Sequence, residues 1–233
     1  GYAMAVVLAA YGASVVISSR TKEDCDRVAK EINDMGGKAV PIPCDVRKVD
    51  DINQLVAKTE EIYGKIDVFV NNAGIGITKR ITEMSEDEWD DVVDTDLKGV
   101  FFGMAAAGKS MIAHEIRGRI INISSAGGLV GTKNIASYCA SKAGVVSLSK
   151  TGAMEFGKYG ITVNTVCPGY VPTSINKKPL EIPKVREQIL GRTALKRLGE
   201  PWEVAALVLF LASDASSIIT GAFVAADMGT TCN

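Results

Sequence analysis

The chain has 233 residues, 47% of them hydrophobic and 23% charged. That is enough to bury the core of one large α/β domain spanning residues 1–233, rather than two small ones. A formal net charge of −1 with both signs interspersed excludes the basic surface of a nucleic-acid or anionic-membrane binder. No apolar run reaches the roughly 18 residues of a membrane helix and no basic start leads into an apolar secretory stretch, so the expectation is a cytoplasmic protein with neither membrane nor nucleic-acid partners.

In chain order, Tyr2–Ala10 reads as a helix ending at the Tyr11-Gly12 turn, and Ser14–Ser19 as a strand. A helix over Thr21–Met35 stops at Gly36-Gly37, and Ala39–Cys44 is the next strand. Val49–Tyr63 is helical and Ile66–Asn71 extended. A long helix is predicted over Glu86–His114, opened by Ser85 and Glu88 in an S-x-x-E capping box. The strand Arg119–Ser124 follows, then a helix over Ser137–Tyr159 closed by Gly160, and the strand Thr162–Cys167. Pro201 suits the first turn of a helix over Pro201–Ala212, and Ala222–Ala225 is the last strand. Several strands are nearly continuous in Val and Ile, as strands covered on both faces are. Such alternation predicts a doubly wound, Rossmann-like parallel sheet that binds ligands beyond the carboxyl ends of its strands.

Residues 172–200 break the rhythm. Pro172, Pro179 and Pro183 crowd a stretch with Lys177-Lys178 and a short helical piece near Val185–Leu190. Two readings stand open, a substrate loop and an oligomer-contact insertion. Five cysteines (Cys25, Cys44, Cys139, Cys167 and Cys232) form no CxxC pair, so neither a disulfide framework nor a metal site is expected. The one histidine, His114, sits among polar residues at the end of a helix. It reads as structural, which leaves acid/base chemistry to another side chain.

That side chain is Tyr138. In Tyr138-Cys139-Ala140-Ser141-Lys142 the tyrosine and lysine are four apart and share a helix face. Ser124-Ser125 end the Arg-Ile-Ile-Asn-Ile strand thirteen residues before Tyr138, which sets a hydroxyl at a carboxyl end facing the same cleft. A free tyrosine ionises near pH 10 and is a poor base; a nearby ammonium favours the tyrosinate.

With these residues the chain resembles the short-chain dehydrogenase/reductase family over nearly its whole length. Asn71-Asn72-Ala73-Gly74 resembles the family's N-N-A-G segment, and Asp45-Val46 its aspartate-valine pair beside the adenine. Pro168-Gly169, with Val171 and Thr173 after it, resembles the loop that holds the nicotinamide carboxamide, and Ile219-Thr220-Gly221 the approach to the closing strand. The resemblance implies an oxidoreductase acting on a small carbonyl or secondary alcohol, with Tyr138 as acid/base, Lys142 on the tyrosine and nicotinamide ribose, and Ser125 on the substrate oxygen. Homo-oligomers, dimers or tetramers, are implied too. Ser19 stands where NAD-preferring members carry an acidic residue, and Arg20 follows it. This favours NADP(H), with NAD(H) as the other option.

The chain also departs from the pattern. Gly1 resembles the last glycine of T-G-x-x-x-G-x-G, so the family's first strand and most of its phosphate-binding turn would precede it. Asp96 stands where the family has an asparagine that positions a water relaying protons to the lysine; a carboxylate accepts from that water without donating. Ala226-Asp227-Met228-Gly229 replaces the commoner Val-Asp-Gly-Gly. These departures support the alternative, a catalytically weak binding or scaffold protein that keeps the fold.

Overall fold

Six parallel strands carry the architecture in the computed structural model, which describes residues 1–173 and 180–232. β1 (Ser14–Ile17) pairs with β2 (Lys38–Pro41), Ser14 lying opposite Lys38. β3 (Val68–Asn71), β4 (Arg119–Ile123), β5 (Thr162–Pro168) and β6 (Phe223–Ala226) pair in that order. β4 is buried along its whole length and β5 nearly so, as Val/Ile-rich strands covered on both faces should be. β1 and β3 do not pair; a cleft of about 670 Å³ separates them, walled by Val15, Val16 and Ile17 on one side and Val68, Phe69 and Val70 on the other.

Helices cover both faces. α1 (Tyr2–Ala10) and α8 (Pro201–Ala212) lie on one, where Met4, Val204, Val208 and Leu211 pack against Ile121 and Val166. α3 (Val49–Tyr63), α5 (Gly99–Ala113) and α6 (Ala136–Phe156) take the other: Ile52, Val56, Met104, Met111 and Ala153 meet Ile120 and Val163. α2 (Lys22–Asp34) seals β1 and β2 with Cys25, Val28, Ala29 and Ile32. α7 (Pro183–Arg192) includes the helical piece expected at Val185–Leu190; Lys177, Lys178 and Pro179 lie outside the described residues. Among the described residues no helix is long and apolar enough to cross a membrane. A polar chain crosses the core: Asn71 donates to Asn122 Oδ1 (2.8 Å), and Asn122 Nδ2 donates to Ser149 Oγ (2.8 Å).

Two expectations are corrected. The strands Ser14–Ser19 and Ala39–Cys44 are shorter than their apolar runs. Pro41 and Pro43 have no N–H, so beyond Pro41 only the amides of Ile42 and Cys44 reach the β1 side, at the carbonyls of Ile17 and Ser19 (3.0 and 2.9 Å). The helix expected over Glu86–His114 is α4 (Glu86–Val93), a π-helical turn at Asp94–Lys98, and then α5. At this turn Gly99 N–H bonds back to the Asp94 carbonyl, and Thr95 Oγ1 donates to the Asp91 carbonyl at 2.8 Å. Such bulges insert a residue into a helix and re-aim its side chains.

The capping box is formed: Glu88 N–H donates to Ser85 Oγ (3.3 Å) and Ser85 N–H to Glu88 Oε2 (3.0 Å). Ser85→Ala should therefore cost about 1 kcal/mol, the usual value of an N-cap. In thermal unfolding that is a fall of about 2–4 °C for a chain of this size. An unchanged midpoint would show that the box does not hold α4.

Candidate active site

The site is built where α6 meets the carboxyl end of β4. Ile135 precedes α6, so Tyr138 and Lys142 fall in its first two turns. Ser124 donates from Oγ to the Lys142 carbonyl at 2.7 Å, and its own amide donates to Val166 of β5 at 2.8 Å. Lys142 Nζ donates to the Ile123 carbonyl at 3.1 Å. The helix is thus fixed to the strand through both the backbone and the side chain of residue 142.

Ser125 and Tyr138 are brought together as the spacing suggested. The Ser125 hydroxyl hydrogen-bonds the Tyr138 phenol and accepts the Gly127 amide at 3.1 Å. Lys142 Nζ lies 5.6 Å from the centroid of the Tyr138 ring. Burial is the main influence on the phenol and pushes its pKa up; the Ser125 bond opposes it, and the charges of Asp96 and Cys139 add to it.

Asp96 is fully buried, which rules out a solvated helix position. Its Oδ1 accepts the Ile75 amide at 2.8 Å, and its Oδ2 lies 3.1 Å from Lys142 Nζ. This replaces the water-bridged arrangement expected from the family pattern with a direct ion pair. Asp96 lies within the π turn. Burial raises the Asp96 pKa, while Lys142 and the Ile75 amide pull it back down. Gly74 makes the space: a Cβ there would sit 3.2 Å from both Asp96 Oδ2 and Lys142 Nζ.

The other predicted residues ring the carboxyl edge of the sheet. Gly1 caps α1, and its amine lies 3.4 Å from Asn72 Oδ1. Asn72, Ala73 and Gly74 follow β3, while Pro168 ends β5 and leads into Gly169, Val171 and Thr173. A Cβ on Gly169 would meet the Asp227 backbone at 2.7 Å, so the loop after β5 rests on the turn after β6. Asp227 holds that turn by accepting from Gly229 N–H (2.9 Å) and from Thr231 N–H and Oγ1 (2.8 and 2.7 Å). Ser19 and Arg20 follow β1. The Ser19 hydroxyl closes a local turn with Thr21 and touches Cys25 Sγ at 3.2 Å, while Arg20 is exposed and has no ion-pair partner among the described residues. Asp45 is engaged by Arg47, which also reaches Asp91, and the guanidinium holds the Asp45 carboxyl below its usual range. Val46 stands against the start of α5 near Gly99.

These residues suit a nicotinamide dinucleotide, since a helix start and glycine-lined turns are the kind of backbone that can meet phosphates. Arg47 was missed in the sequence because its partners are Asp45 and, far along the chain, Asp91. Ile75 was missed because it contributes only its backbone. His114 is structural, as expected: its Nδ1 lies 3.0 Å from the Ser110 carbonyl and 3.5 Å from Glu60. The five cysteines are unpaired.

A family model described as enoyl-(acyl carrier protein) reductase matches residues 1–231. The 3-oxoacyl-[acyl-carrier-protein] reductase FabG of Thermotoga maritima is 41% identical over 229 residues, 98% of this chain and 92% of that protein. A short-chain type dehydrogenase/reductase from Mycobacterium marinum superposes with a TM-score of 0.95 at 35% identity, covering 100% of this chain and 91% of that one. A gluconate 5-dehydrogenase from Burkholderia cenocepacia, solved in complex with NADP and tartrate, gives a TM-score of 0.96 at 31% identity, with 100% and 92% covered. The chain belongs to the short-chain dehydrogenase/reductase family. It is an oxidoreductase that moves a hydride between a nicotinamide cofactor and a carbonyl or secondary alcohol, which disfavours the scaffold alternative.

The contact at Gly74 can be tested. In Gly74→Ala the new methyl crowds a buried ion pair, and overpacking of this kind costs about 1–3 kcal/mol. The denaturant midpoint should fall with an unchanged slope. An unaltered midpoint would mean that Asp96 and Lys142 yield freely.

Proposed function

We propose that this chain is an NADP(H)-preferring carbonyl reductase or alcohol dehydrogenase with Tyr138 as its acid/base. The observation that carries the reading is the convergence of Ser125, Tyr138 and Lys142 at the end of β4, each fixed by hydrogen bonds or burial. In the reducing direction the Tyr138 phenol gives its proton to the substrate oxygen as charge develops there. The Ser125 hydroxyl hydrogen-bonds the same oxygen, and the Lys142 ammonium lowers the cost of the tyrosinate left behind. In the reverse direction the tyrosinate takes the alcohol proton. When bound, the nicotinamide supplies or accepts the hydride.

The cofactor would be held by Arg20 and Ser19 at the adenosine ribose, Asp45 and Val46 at the adenine, and Gly1 at the phosphates. Asn72, Ala73, Gly74, Pro168, Gly169, Val171, Thr173 and Lys142 would line the nicotinamide half. Arg20 supports the NADP(H) preference, because an exposed guanidinium without an ion-pair partner among the described residues is available to a 2′-phosphate. The described residues 172–173 and 180–200 would serve the substrate side of a single domain. Exposed Phe101, Met154, Ile218 and Phe223 favour a homo-oligomer, a dimer or tetramer. Unpaired thiols suit the reducing cytoplasm; burial pushes the Cys44 thiol up to about 11, leaving it unreactive.

Tyr138→Phe should lower turnover at least about a hundredfold, the scale of general acid catalysis, with the fold unchanged by circular dichroism. Lys142→Ala should also weaken NADPH binding by calorimetry. Turnover within twofold of the parent in Tyr138→Phe would reject the assignment. A panel of a 3-oxoacyl thioester, a keto sugar acid and simple ketones identifies the substrate class.

Arg20→Ala tests the phosphate. Losing one charge-assisted contact is worth about 1.5 kcal/mol, so the KM for NADPH should rise about tenfold with that for NADH little changed. Equal effects on both, or a parent that prefers NADH, would refute the NADP(H) assignment.

A further inference from the structure

Lys142 does not face Tyr138 alone. Its ammonium is buried, donates to the Ile123 carbonyl at 3.1 Å and lies 3.1 Å from the fully buried Asp96 carboxylate. Asp96 Oδ1 accepts the Ile75 amide at 2.8 Å. Burial raises the Asp96 pKa, while the ammonium beside Oδ2 and the amide on Oδ1 work against it and favour the ionised form. From Tyr138, an ammonium paired at 3.1 Å acts as a dipole, whose field falls away faster than that of a single charge. In a site screened from water that difference is large.

We propose that Asp96 is a positioning residue that pairs directly with Lys142, offsets part of the ammonium's charge as Tyr138 feels it, and so keeps the phenol in its proton-donating form through neutral pH. The proposal rests on the reading of Tyr138 as the acid/base. It gives the chain a site built to protonate a carbonyl oxygen near neutrality. Alcohol oxidation needs the tyrosinate: the hydroxyl proton goes to Tyr138 Oη, and the carbon-bound hydrogen leaves as hydride to the bound nicotinamide. That direction therefore accelerates only at alkaline pH, while the equilibrium itself is untouched.

Among the described residues, the titratable groups around the phenol are few. Cys139 lies next to it on α6, Lys142 one turn further, and Asp96 across from them on the π turn. Cys167 on β5 lies beyond Lys142, with Asp227 acting on it; burial raises the Cys167 thiol pKa and keeps it neutral. Burial of Tyr138 and the Asp96 charge both disfavour tyrosinate, while the Ser125 bond opposes them. A purely structural role, holding the Ile75 amide, would be kept by an asparagine and would leave the ionisation of Tyr138 alone.

The test is the ultraviolet absorbance of tyrosinate in the cofactor-free protein, taken as the difference between each protein and its Tyr138→Phe counterpart. In the parent, Tyr138 should ionise at or above the ordinary tyrosine value of about 10. In Asp96→Asn the midpoint should fall by about one unit or more, the size expected for losing a nearby opposing charge. The alkaline limb of kcat/KM for alcohol oxidation should move with it, raising the rate at pH 7 about tenfold. An unshifted midpoint and limb in Asp96→Asn, beside a hundredfold loss in Tyr138→Phe, overturns the role of Asp96 and leaves that of Tyr138 standing. Retained turnover in Tyr138→Phe removes the underlying reading instead. Should Asp96→Asn fail to fold, the parent titration alone decides, and a midpoint below the ordinary value overturns the proposal.

Discussion

A lysine ammonium sealed inside a protein must be compensated, and much of this site exists because Lys142 is. Its two partners come from different parts of the chain, the Ile123 carbonyl at the end of β4 and the Asp96 carboxylate from the π turn, each at 3.1 Å. Removing one partner of such a buried pair typically costs about 3–5 kcal/mol, because the other charge is left uncompensated. Other features serve the same arrangement. Gly74 leaves room for the pair, Ser124 binds the backbone of residue 142, and the Ile75 amide holds the far side of the carboxylate. The reactive hydroxyls of Ser125 and Tyr138 inherit their positions from this fixed point.

Much of this was legible in the sequence, for local reasons. Tyr138 and Lys142 lie one helical turn apart, and Ser125 ends a strand whose apolar run is unbroken. The Ser85–Glu88 box was readable because both partners lie within four residues. Non-local facts were hidden. No glycine or proline interrupts Glu86–Lys98, so the sequence predicted one helix, while the π turn shows only in its bonding to Asp91, Asp94 and Gly99. The direct Asp96–Lys142 contact is made from that turn and was hidden with it. Strand ends were misjudged at Ser19 and Cys44 because pairing, interrupted by Pro41 and Pro43, sets them rather than hydrophobicity. Arg47 was invisible because its meaning lies in Asp91, which only folding brings near.

The two ends of the cofactor edge differ in kind. At the chemical end Asp96 and Lys142 are buried and held by the Ile75 amide, the Ile123 carbonyl and each other before any ligand arrives, a preorganisation that makes fixed charges effective. At the adenine end Arg20 is exposed and Arg47 is already committed to Asp45 and Asp91. In the proposed placement of the cofactor, contacts there lie at the surface, where solvent screens each one, whereas Asp96 and Lys142 are part of the core.

The chain of side-chain hydrogen bonds through Asn71, Asn122 and Ser149 has a consequence for how the sheet assembles. β3 and β4 are made mostly of Val, Phe and Ile, and apolar side chains alone discriminate weakly between neighbouring alignments. Sliding β3 by one residue would turn Asn71 to the opposite face and leave Asn122 Oδ1 without its donor in a dry interior. A buried amide without a partner costs more than any packing difference between two valines. The ladder therefore works as a proofreading element: misaligned intermediates are penalised at one point in the core, and the native register of β3 on β4, with Asn71 opposite Asn122, is selected.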